Sequence, residues 1–329
     1  MTASDILAKI PDLSVLMVGD ICLDRWCTYD PAAAEPSAET GLPRTAVVSA
    51  VTTPGAGGTV ANNLRSLGVK RLAVIGAFGQ DGFGWELMRA LSERGVSTDL
   101  CVSSPEIQTF TYTKLLNAQT GEEDLARVDF INPQPLPAEV ETQLHDNLQL
   151  FSRAFDIVMV ADQAETEHGG VITAKLRSAI ASIALEEPGR VIWADSRRRA
   201  ELFRNVILKP NRKEAEEACL RVFGEVDFHR LAKHTNAPFL IVTRGHEGAA
   251  IVEGGEETLV PTRLVEKPVD ICGAGDSFSA GAALALAITG SPISAARFGN
   301  LVSSITIMKK GTGTASPEEV LAAEAAWVA

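Results

Sequence analysis

Short apolar runs rich in branched side chains alternate with helical stretches along this chain of 329 residues. The runs are short and end in turn-forming residues, as buried strands do. The predicted strands are 15–18, 72–75, 157–160, 191–193, 206–208 and 239–242, and the predicted helices include 60–67, 84–94, 137–153 and 170–186. This alternation predicts an α/β fold in which helices cover both faces of a mostly parallel sheet.

Polar residues follow several of the predicted strands. They are Asp20, Asp162, Asp195, Asn211 and Thr243. Because open α/β sheets bind ligands at the carboxyl ends of their strands, these side chains predict a site along one rim. Asp20 and Asp24 are candidates for binding sugar hydroxyls, with a solvated turn as the equal alternative. The first strand is not followed by G-x-G-x-x-G, and the chain has no Gly-Lys pair, so neither a Rossmann dinucleotide site there nor a Walker A loop is predicted.

The sequence Gly-Ala-Gly-Asp at 273–276 precedes a run of small residues over 279–287 that is predicted to be helical. The first amides of a helix lack partners inside it, and the macrodipole makes that end positive. We therefore expect the amides of Gly273, Ala274 and Gly275 to form an anion site. A bound polyphosphate would repel a free carboxylate at Asp276. A carboxylate is tolerable there if its task is to accept a proton. An ordinary turn with Asp as a helix cap is the alternative for this stretch taken alone.

A second glycine-rich stretch, Pro-Gly-Ala-Gly-Gly-Thr at 54–59, opens the predicted helix 60–67. A glycine-rich helix start lets backbone amides approach a polar ligand. A flexible loop with ordinary caps is the alternative. The residues assigned to substrate binding here are Gly55, Gly57, Gly58, Thr59 and Asn63.

Four strand-like segments without intervening helices stand apart from this alternation. They are 25–29, 45–52, 109–116 and 125–130. We interpret them as one small sheet that forms a lid, from about 25–53 and 108–131. The lid would expose apolar side chains that a second lid could cover, so we expect a homodimer. The side chains in question are Val47, Val48, Val51, Phe110, Tyr112 and Leu115.

The formal net charge of −12 argues against nucleic acid or an anionic membrane as the main partner. Apolar runs stay below the roughly 18 residues of a membrane span, and the N-terminus lacks the features of a signal peptide. Five scattered cysteines fit neither a zinc site nor a disulfide framework, which predicts a cytoplasmic protein.

The motifs, taken in order, resemble those of the ribokinase-like (PfkB-type) carbohydrate kinases. Residues 270–278 look like the family signature D-T-x-G-A-G-D-x-F, 211–214 like its N-x-x-E, and 243–248 like its T-x-G-x-x-G. The resemblance covers nearly the whole chain. It implies a single domain over 1–329 with the ribokinase-like three-layer α/β/α fold, a mostly parallel central sheet and a small β-sheet lid.

The resemblance also implies an activity. We expect an ATP-dependent phosphotransferase that phosphorylates a hydroxyl of a sugar or sugar phosphate, with Asp276 as general base. At an ordinary pKa near ~3.9, Asp276 would be ionised at neutral pH. Asn211 and Glu214 would hold Mg²⁺ through water, with an N-capped acidic helix as the alternative. A monovalent cation such as K⁺ is implied near Ile271, which stands where the family has threonine.

Further residues follow from the same resemblance. Lys114 and Arg127 on the lid are candidates for binding a phosphate already on the sugar, with a solvated strand face as the alternative. Arg244 could reach a phosphate, with an exposed ion pair as the alternative. The residues assigned to the nucleotide are Asn211, Thr243, Arg244, Gly245, Gly248 and Asn300.

Within the family, the likeness is greatest to the heptose-phosphate kinases, through segments such as 19–25 and 209–214. Those kinases have P-G-G-A-A-N where this chain has 54–59, so Ala56 and Thr59 predict a different pattern of hydroxyl recognition. No nucleotidyltransferase segment follows residue 329, and we expect kinase activity to stand alone. A nucleoside kinase of the same fold and a catalytically inactive nucleotide- or sugar-binding regulator are the alternative functions.

Overall fold

A computed structural model describes residues 1–328 of the chain. The helices are α1 Ala3–Leu7, α2 Gly57–Ser66, α3 Gly82–Glu93, α4 Ala138–Phe151, α5 Ala174–Glu186, α6 Arg212–Phe223, α7 Phe228–Thr235, α8 Ala274–Thr289, α9 Pro292–Thr306 and α10 Pro317–Val328. The strands are β1 Ser14–Gly19, β2 Ile21–Tyr29, β3 Val47–Ala56, β4 Arg71–Ile75, β5 Ala77–Gly79, β6 Val102–Ser104, β7 Thr111–Asn117, β8 Val128–Phe130, β9 Ile157–Asp162, β10 Val191–Ser196, β11 Ile207–Leu208, β12 Leu240–Thr243, β13 Ala249–Glu253 and β14 Glu256–Val260.

The central sheet has the strand order β14-β13-β12-β11-β10-β9-β1-β4. Strands β4 to β12 of this order are parallel, and β13 and β14 add an antiparallel edge. All six residues of β1, β9 and β10 are buried, as expected for parallel strands with both faces covered. The predicted mostly parallel sheet is confirmed.

Helices form a layer on each face of the sheet. Alternate residues of β1 enter different cores: Val15 and Met17 pack towards α1, α2, α3, α8, α9 and α10, whereas Leu16 and Val18 pack towards α4 to α7. This follows from the two-residue period of a strand. The three-layer α/β/α fold is therefore confirmed.

The small sheet has the order β3-β2-β7-β8, with β2 and β7 parallel and the other pairs antiparallel. Its first strand starts at Ile21, four residues before the predicted segment, because the chain passes directly from β1 into the lid. Part of the apolar surface expected for dimerisation is not available. Phe110 is buried in a small core with Cys22 and Ala164, so the exposed valines of β3 carry the dimer prediction, which stays a prediction.

The parallel strands end at one rim, and the N-terminus of α8 reaches the same rim. Helix α8 begins at Ala274, inside the glycine sequence rather than after it, because Gly273 adopts a left-handed conformation (φ 76°) that turns the chain into the helix. No helix within residues 1–328 is long and apolar enough to span a bilayer.

Candidate active site

A cavity of about 150 Å³ lies between the lid and the rim of the central sheet. It brings together residues predicted from five separate segments. Those predicted are Asp24, Thr59, Lys114, Arg127, Gly273 and Asp276, and the walls also include Trp26, Ala56, Tyr112, Gln163, Arg197, Cys272 and Thr312.

The N-terminus of α8 forms the floor of this cavity. The amide of Ala274 donates to the carbonyl of Ile271 at 3.2 Å, so it is not free for a ligand as predicted. The amides of Gly275 and Asp276, by contrast, have no acceptor within residues 1–328. Of the three amides predicted for the anion site, those of Gly273 and Gly275 thus have no acceptor within residues 1–328 and that of Ala274 has one, because the helix begins earlier than the sequence pattern suggested.

Asp276 stands in the first turn of α8 and faces the cavity. Burial raises the pKa of Asp276 to about 7, and the carboxylate of Asp195 adds to the effect while Lys209 opposes it. This corrects the expectation of an ordinary carboxyl pKa. A base with a pKa near the working pH combines a sufficient ionised fraction with a useful affinity for the proton.

Asp24 extends from lid strand β2 into the same cavity. Gly55 on the neighbouring strand leaves the room that this carboxylate needs, since a Cβ there would lie 2.3 Å from Oδ1 of Asp24. Burial raises the pKa of Asp24 to about 6, and the thiol of Cys22 and the cations on the lid oppose it. Gly55 thus allows Asp24 to occupy its place at the cavity.

Asp20 has a different role from the one predicted. Its carboxylate is buried and accepts hydrogen bonds of 2.7 Å from the amides of Gln163, Ala164 and Val171. These bonds fix the loop after β9 and occupy the oxygens that were expected to bind sugar hydroxyls. Asp20 is a structural anchor, which corrects the sequence interpretation.

Residues 54–59 are less open than a glycine-rich loop suggests. Gly57 and Gly58 are buried in the first turn of α2, where the Gly57 amide donates to the carbonyl of Asp20 at 2.9 Å. Their small size serves packing, since a Cβ on Gly58 would lie 2.5 Å from Pro54. The prediction that they bind substrate directly is not supported by this geometry.

Thr59 and Asn63 differ in their access to the cavity. The hydroxyl of Thr59 donates to the carbonyl of Pro54 at 3.3 Å, and the residue lines the cavity. Asn63 is fully buried and donates from Nδ2 to the carbonyl of Thr59 at 3.0 Å. Asn63 therefore supports the wall from behind, which corrects its predicted contact with substrate.

Three cations line the cavity: Lys114 and Arg127 on the lid, and Arg197 directly after β10 of the central sheet. Arg127 binds Asp129 at 2.7 Å and stacks 5.2 Å from the ring centre of Tyr112. Nζ of Lys114 lies 3.8 Å from Oε2 of Glu123. Arg197 forms an ion pair with Glu165 in the loop after β9. These partners hold the cations in place, yet each cation keeps donors for a further anion.

Asn211 and Glu214 form the N-terminal cap of α6. Oδ1 of Asn211 accepts from the amide of Glu214 at 2.9 Å, and Oε2 of Glu214 accepts from the amide of Asn211 at 2.8 Å. The cap alternative is thus realised, but the second Glu214 oxygen remains outside it. Carboxylate and amide oxygens fit Mg²⁺ held through water; residues 1–328 contain no cluster of three metal-binding side chains.

The other residues assigned to the nucleotide lie around the end of β12. Thr243 forms a β-bridge with Asn211, in which the backbone amide of Thr243 donates a hydrogen bond of 3.1 Å to the carbonyl of Pro210. The two motifs therefore meet. Arg244 forms an ion pair with Glu257 at 2.6 Å, but its side chain is largely buried rather than exposed as the alternative had it.

Two more of the assigned residues, Gly248 and Asn300, contact the backbone carbonyl at the end of β14. Gly248 has a φ of 103°, and a Cβ there would meet the carbonyl of Val260 at 2.2 Å. Asn300 is buried and donates to the same carbonyl at 3.2 Å. Gly245, which is exposed, is the one of these glycines and amides that stays accessible to a ligand. Asn300 and Gly248 therefore shape this wall, which corrects their predicted direct contact.

The family model for pfkB family carbohydrate kinase matches residues 14–319. The chain belongs to this family. The resemblance predicted from the sequence motifs is therefore confirmed.

Relatives and solved structures are also similar to this chain over most of its length. Bifunctional protein HldE of Trichlorobacter lovleyi is 30% identical over 94% of this chain, and that of Rhodopseudomonas palustris is 32% identical over 94%. The chain spans 62% and 63% of the length of these two relatives. Phosphofructokinase-2 from Escherichia coli in complex with potassium has a TM-score of 0.74 at 21% identity, with 96% of this chain and all of that chain covered. Ribokinase from Thermotoga maritima has a TM-score of 0.69 at 22% identity, with coverage of 94% and 99%.

Two charged residues at the site escaped the sequence analysis. Arg197 stands in a run of three arginines whose members have different partners, so the run alone gives no direction. Lys209 lies two residues before Asn211, and its ammonium is buried next to Asp195 and the start of α8. The available signal was that Lys209 directly follows a buried strand. A lysine at such a position is expected to have an ionic partner, because lysine is rarely buried without one.

Proposed function

We propose that this protein is an ATP-dependent kinase that transfers a phosphoryl group to a hydroxyl of a sugar phosphate. The observation that carries the proposal is the placement of Asp276 at the N-terminus of α8, in one cavity with Asp24 and three cations. A carboxylate beside free helix amides suits a reaction that moves both a proton and a phosphoryl group.

The three cations favour an anionic substrate over a neutral sugar. Lys114, Arg127 and Arg197 all lower the pKa of Asp24, so they lie within electrostatic reach of one spot in the cavity. Arginine offers several donors in a planar fork and lysine a point charge, and both bind phosphate. A phosphate on the far end of the sugar would lie against the lid, and the reacting hydroxyl would face Asp276.

The chemistry then assigns tasks to the residues of this chain. Asp24 accepts hydrogen bonds from sugar hydroxyls and orients the ring. Asp276 takes the proton of the attacking sugar hydroxyl while the oxygen of that hydroxyl forms a bond to the γ-phosphorus of ATP. The bond from that phosphorus to the β–γ bridging oxygen breaks, and the electron pair leaves with ADP. The amides of Gly275 and Asp276 stabilise the charge on the transferring group, and Mg²⁺ near Glu214 would neutralise the nucleotide phosphates.

The proposal is tested by ATP consumption with matched pairs of aldoses and ketoses, each offered with and without a terminal phosphate. We expect kcat/KM to be at least about tenfold higher for the phosphorylated member, as for a well-placed charged contact. Replacing Arg197 with Gln should remove most of this preference, whereas Arg89→Gln, in an exposed pair on α3, should not. Equal activity on both members, or none on any, would refute the proposal.

A second test concerns which sugar phosphate is preferred. Ala56 has a φ of 53°, a conformation that suits glycine, and Thr59 lies so near Gly273 that a Cβ on that glycine would be 3.2 Å from Cγ2 of Thr59. We expect heptose 7-phosphate to be a poor substrate, and the change Ala56→Gly with Thr59→Asn to shift kcat/KM towards it by about tenfold or more.

The control for this shift is Ala56→Gly alone. It should relieve backbone strain of about 1 kcal/mol, seen as a higher midpoint of urea unfolding, and leave substrate preference unchanged. A wild-type protein that already prefers heptose 7-phosphate would contradict the reasoning.

A further inference from the structure

Trp26 lines the cavity and has no task in the chemistry described above. It lies on lid strand β2 two residues after Asp24, so the two-residue period of a strand places both side chains on the same face. The opposite face of β2 packs on α3, where the guanidinium of Arg25 lies 4.5 Å from the ring centre of Phe83. The indole of Trp26 and the carboxylate of Asp24 therefore face one space, roughly 7 Å apart along the strand.

The neighbouring lid strand completes this face. In the parallel register of β2 and β7, Tyr112 lies beside Asp24 and Lys114 beside Trp26, and all four residues line the cavity. The guanidinium of Arg127 lies 5.2 Å from the centre of the Tyr112 ring. None of the cation–π contacts within residues 1–328 involves Trp26. Of the two aromatic rings at the cavity, that of Trp26 is thus the one without a cation over it.

The indole of Trp26 also rests on a fixed turn of the main domain. A Cβ on Gly311 would lie 3.4 Å from Cζ2 of Trp26, so this glycine lets the six-membered ring approach the backbone. The amide of Gly311 donates to Oδ2 of Asp270 at 3.1 Å, and Oδ1 of Asp270 accepts from the amide of Cys272 at 2.9 Å. Asp270 thereby ties the turn to the loop that starts α8. The place of the indole relative to Asp276 is thus set by the main domain as well as by the lid.

We propose that Trp26 is a substrate-binding residue whose indole stacks on a C–H face of the sugar ring, while Asp24 accepts hydrogen bonds from the hydroxyls at the edge of that ring. A cyclic sugar carries polar hydroxyls around its edge and apolar C–H groups on its faces. An aromatic ring removes such a face from water over a large area, and its partly negative π surface attracts the C–H groups. This rests on the proposed kinase function and narrows its substrate class to sugar phosphates in their cyclic form.

The kinetic test compares Trp26→Leu, which removes the aromatic face, with Trp26→Phe, which keeps one. The substrate is the sugar phosphate of the panel above with the highest kcat/KM. Its KM should rise at least about tenfold in the Leu variant and no more than about threefold in the Phe variant, while the KM for ATP stays within about threefold in both. The matched control is Trp85→Leu on α3, where the side chain is 69% exposed and both KM values should be unchanged.

Tryptophan fluorescence reports the stacking without relying on turnover. Mg²⁺ and AMP-PCP, an ATP analogue that transfers no phosphate, are present throughout. Adding the same sugar phosphate should change the emission of wild type and of Trp85→Leu, but not that of Trp26→Phe. Binding detected by calorimetry without any change in the wild-type emission would overturn the proposal. Because this readout does not use Trp26→Leu, it decides the matter even if that variant does not fold.

An open-chain ligand separates stacking from support of the lid. Reduction of the same sugar phosphate gives an alditol phosphate with the same charge and no ring. Calorimetry should show it binding wild type at least about tenfold more weakly than the parent sugar phosphate, and Trp26→Leu should weaken its binding by no more than about threefold further. An equal loss of affinity for both ligands in Trp26→Leu would show that Trp26 only holds the lid, and would refute stacking. A wild-type protein that transfers phosphate to no member of the panel would instead refute the proposed function.

Discussion

Replacing Asp276 with Asn should reduce kcat by about 10³-fold or more, while ATP binding and the fold remain. The substitution keeps the size of the side chain and removes the proton acceptor, and a positioned general base contributes about 10²–10⁴-fold to a rate. Steady-state kinetics with the best sugar phosphate measures the loss. Asp146→Asn, at an exposed position of α4, is the matched control and should leave kcat unchanged. Turnover within about tenfold of wild type would show that another group accepts the proton.

The same residue predicts a pH dependence with a defined sign. Because the folded state raises the pKa of Asp276 to about 7, the base becomes protonated below that pH, and kcat/KM should fall as the pH decreases. At pH 8 Asp276 is ionised, and because its pKa is higher in the folded than in the unfolded state, this charge destabilises the folded protein. Asn removes the charge. Asp276→Asn should therefore unfold at the same or a higher temperature than wild type at pH 8, and a lower one would indicate a structural role.

Replacing Arg199 with Met should reduce the free energy of unfolding by about 3–5 kcal/mol, as expected when one partner of a buried ion pair is removed. The guanidinium of Arg199 lies 2.5 Å from Oδ1 of Asp162, which is fully buried. It also donates to the carbonyls of Ala164 and Thr166 at 3.2 and 3.0 Å. Its loss strands a buried carboxylate and frees the loop that follows β9.

Urea unfolding measures this effect. Arg198→Met removes the same charge from the neighbouring exposed position and should change the free energy of unfolding by no more than about 0.5 kcal/mol. Adding Asp162→Asn to Arg199→Met should recover part of the stability, because the stranded charge is removed. A loss below about 1 kcal/mol in the single variant would mean that Asp162 is not dependent on Arg199.

The sheet, the helical layers and the lid were predictable from local pattern. Strand runs such as 157–160 are apolar throughout because both faces are covered, and β2 pairs with β3 without an α-helix between them. These features show in the local pattern of the sequence, although the pairing of β2 with β7 joins strands that α2 and α3 separate in the chain. Gly273 and Asp276 were likewise recognisable, since the glycine that turns the chain and the helix it starts are adjacent.

The roles of individual polar residues were not predictable in the same way. Asp20 and Asp24 both follow β1, but the first is bound by amides as far as 151 residues along the chain and the second faces the cavity. A sequence does not distinguish a carboxylate that meets a ligand from one that meets a distant loop. The raised pKa of Asp276 arises from burial and, after it, from the carboxylate of Asp195. Asp195 also holds Lys209, and the fold alone brings it to the start of α8.

The most direct test of the account is ³¹P NMR of wild-type protein with ATP, Mg²⁺ and the sugar phosphate that gives the highest ATP consumption. We expect the γ-phosphate signal to be replaced by ADP and by one new phosphate ester on the sugar phosphate, in equal amounts. Release of the γ-phosphate as inorganic phosphate, or an unchanged spectrum, would contradict phosphoryl transfer to a substrate hydroxyl.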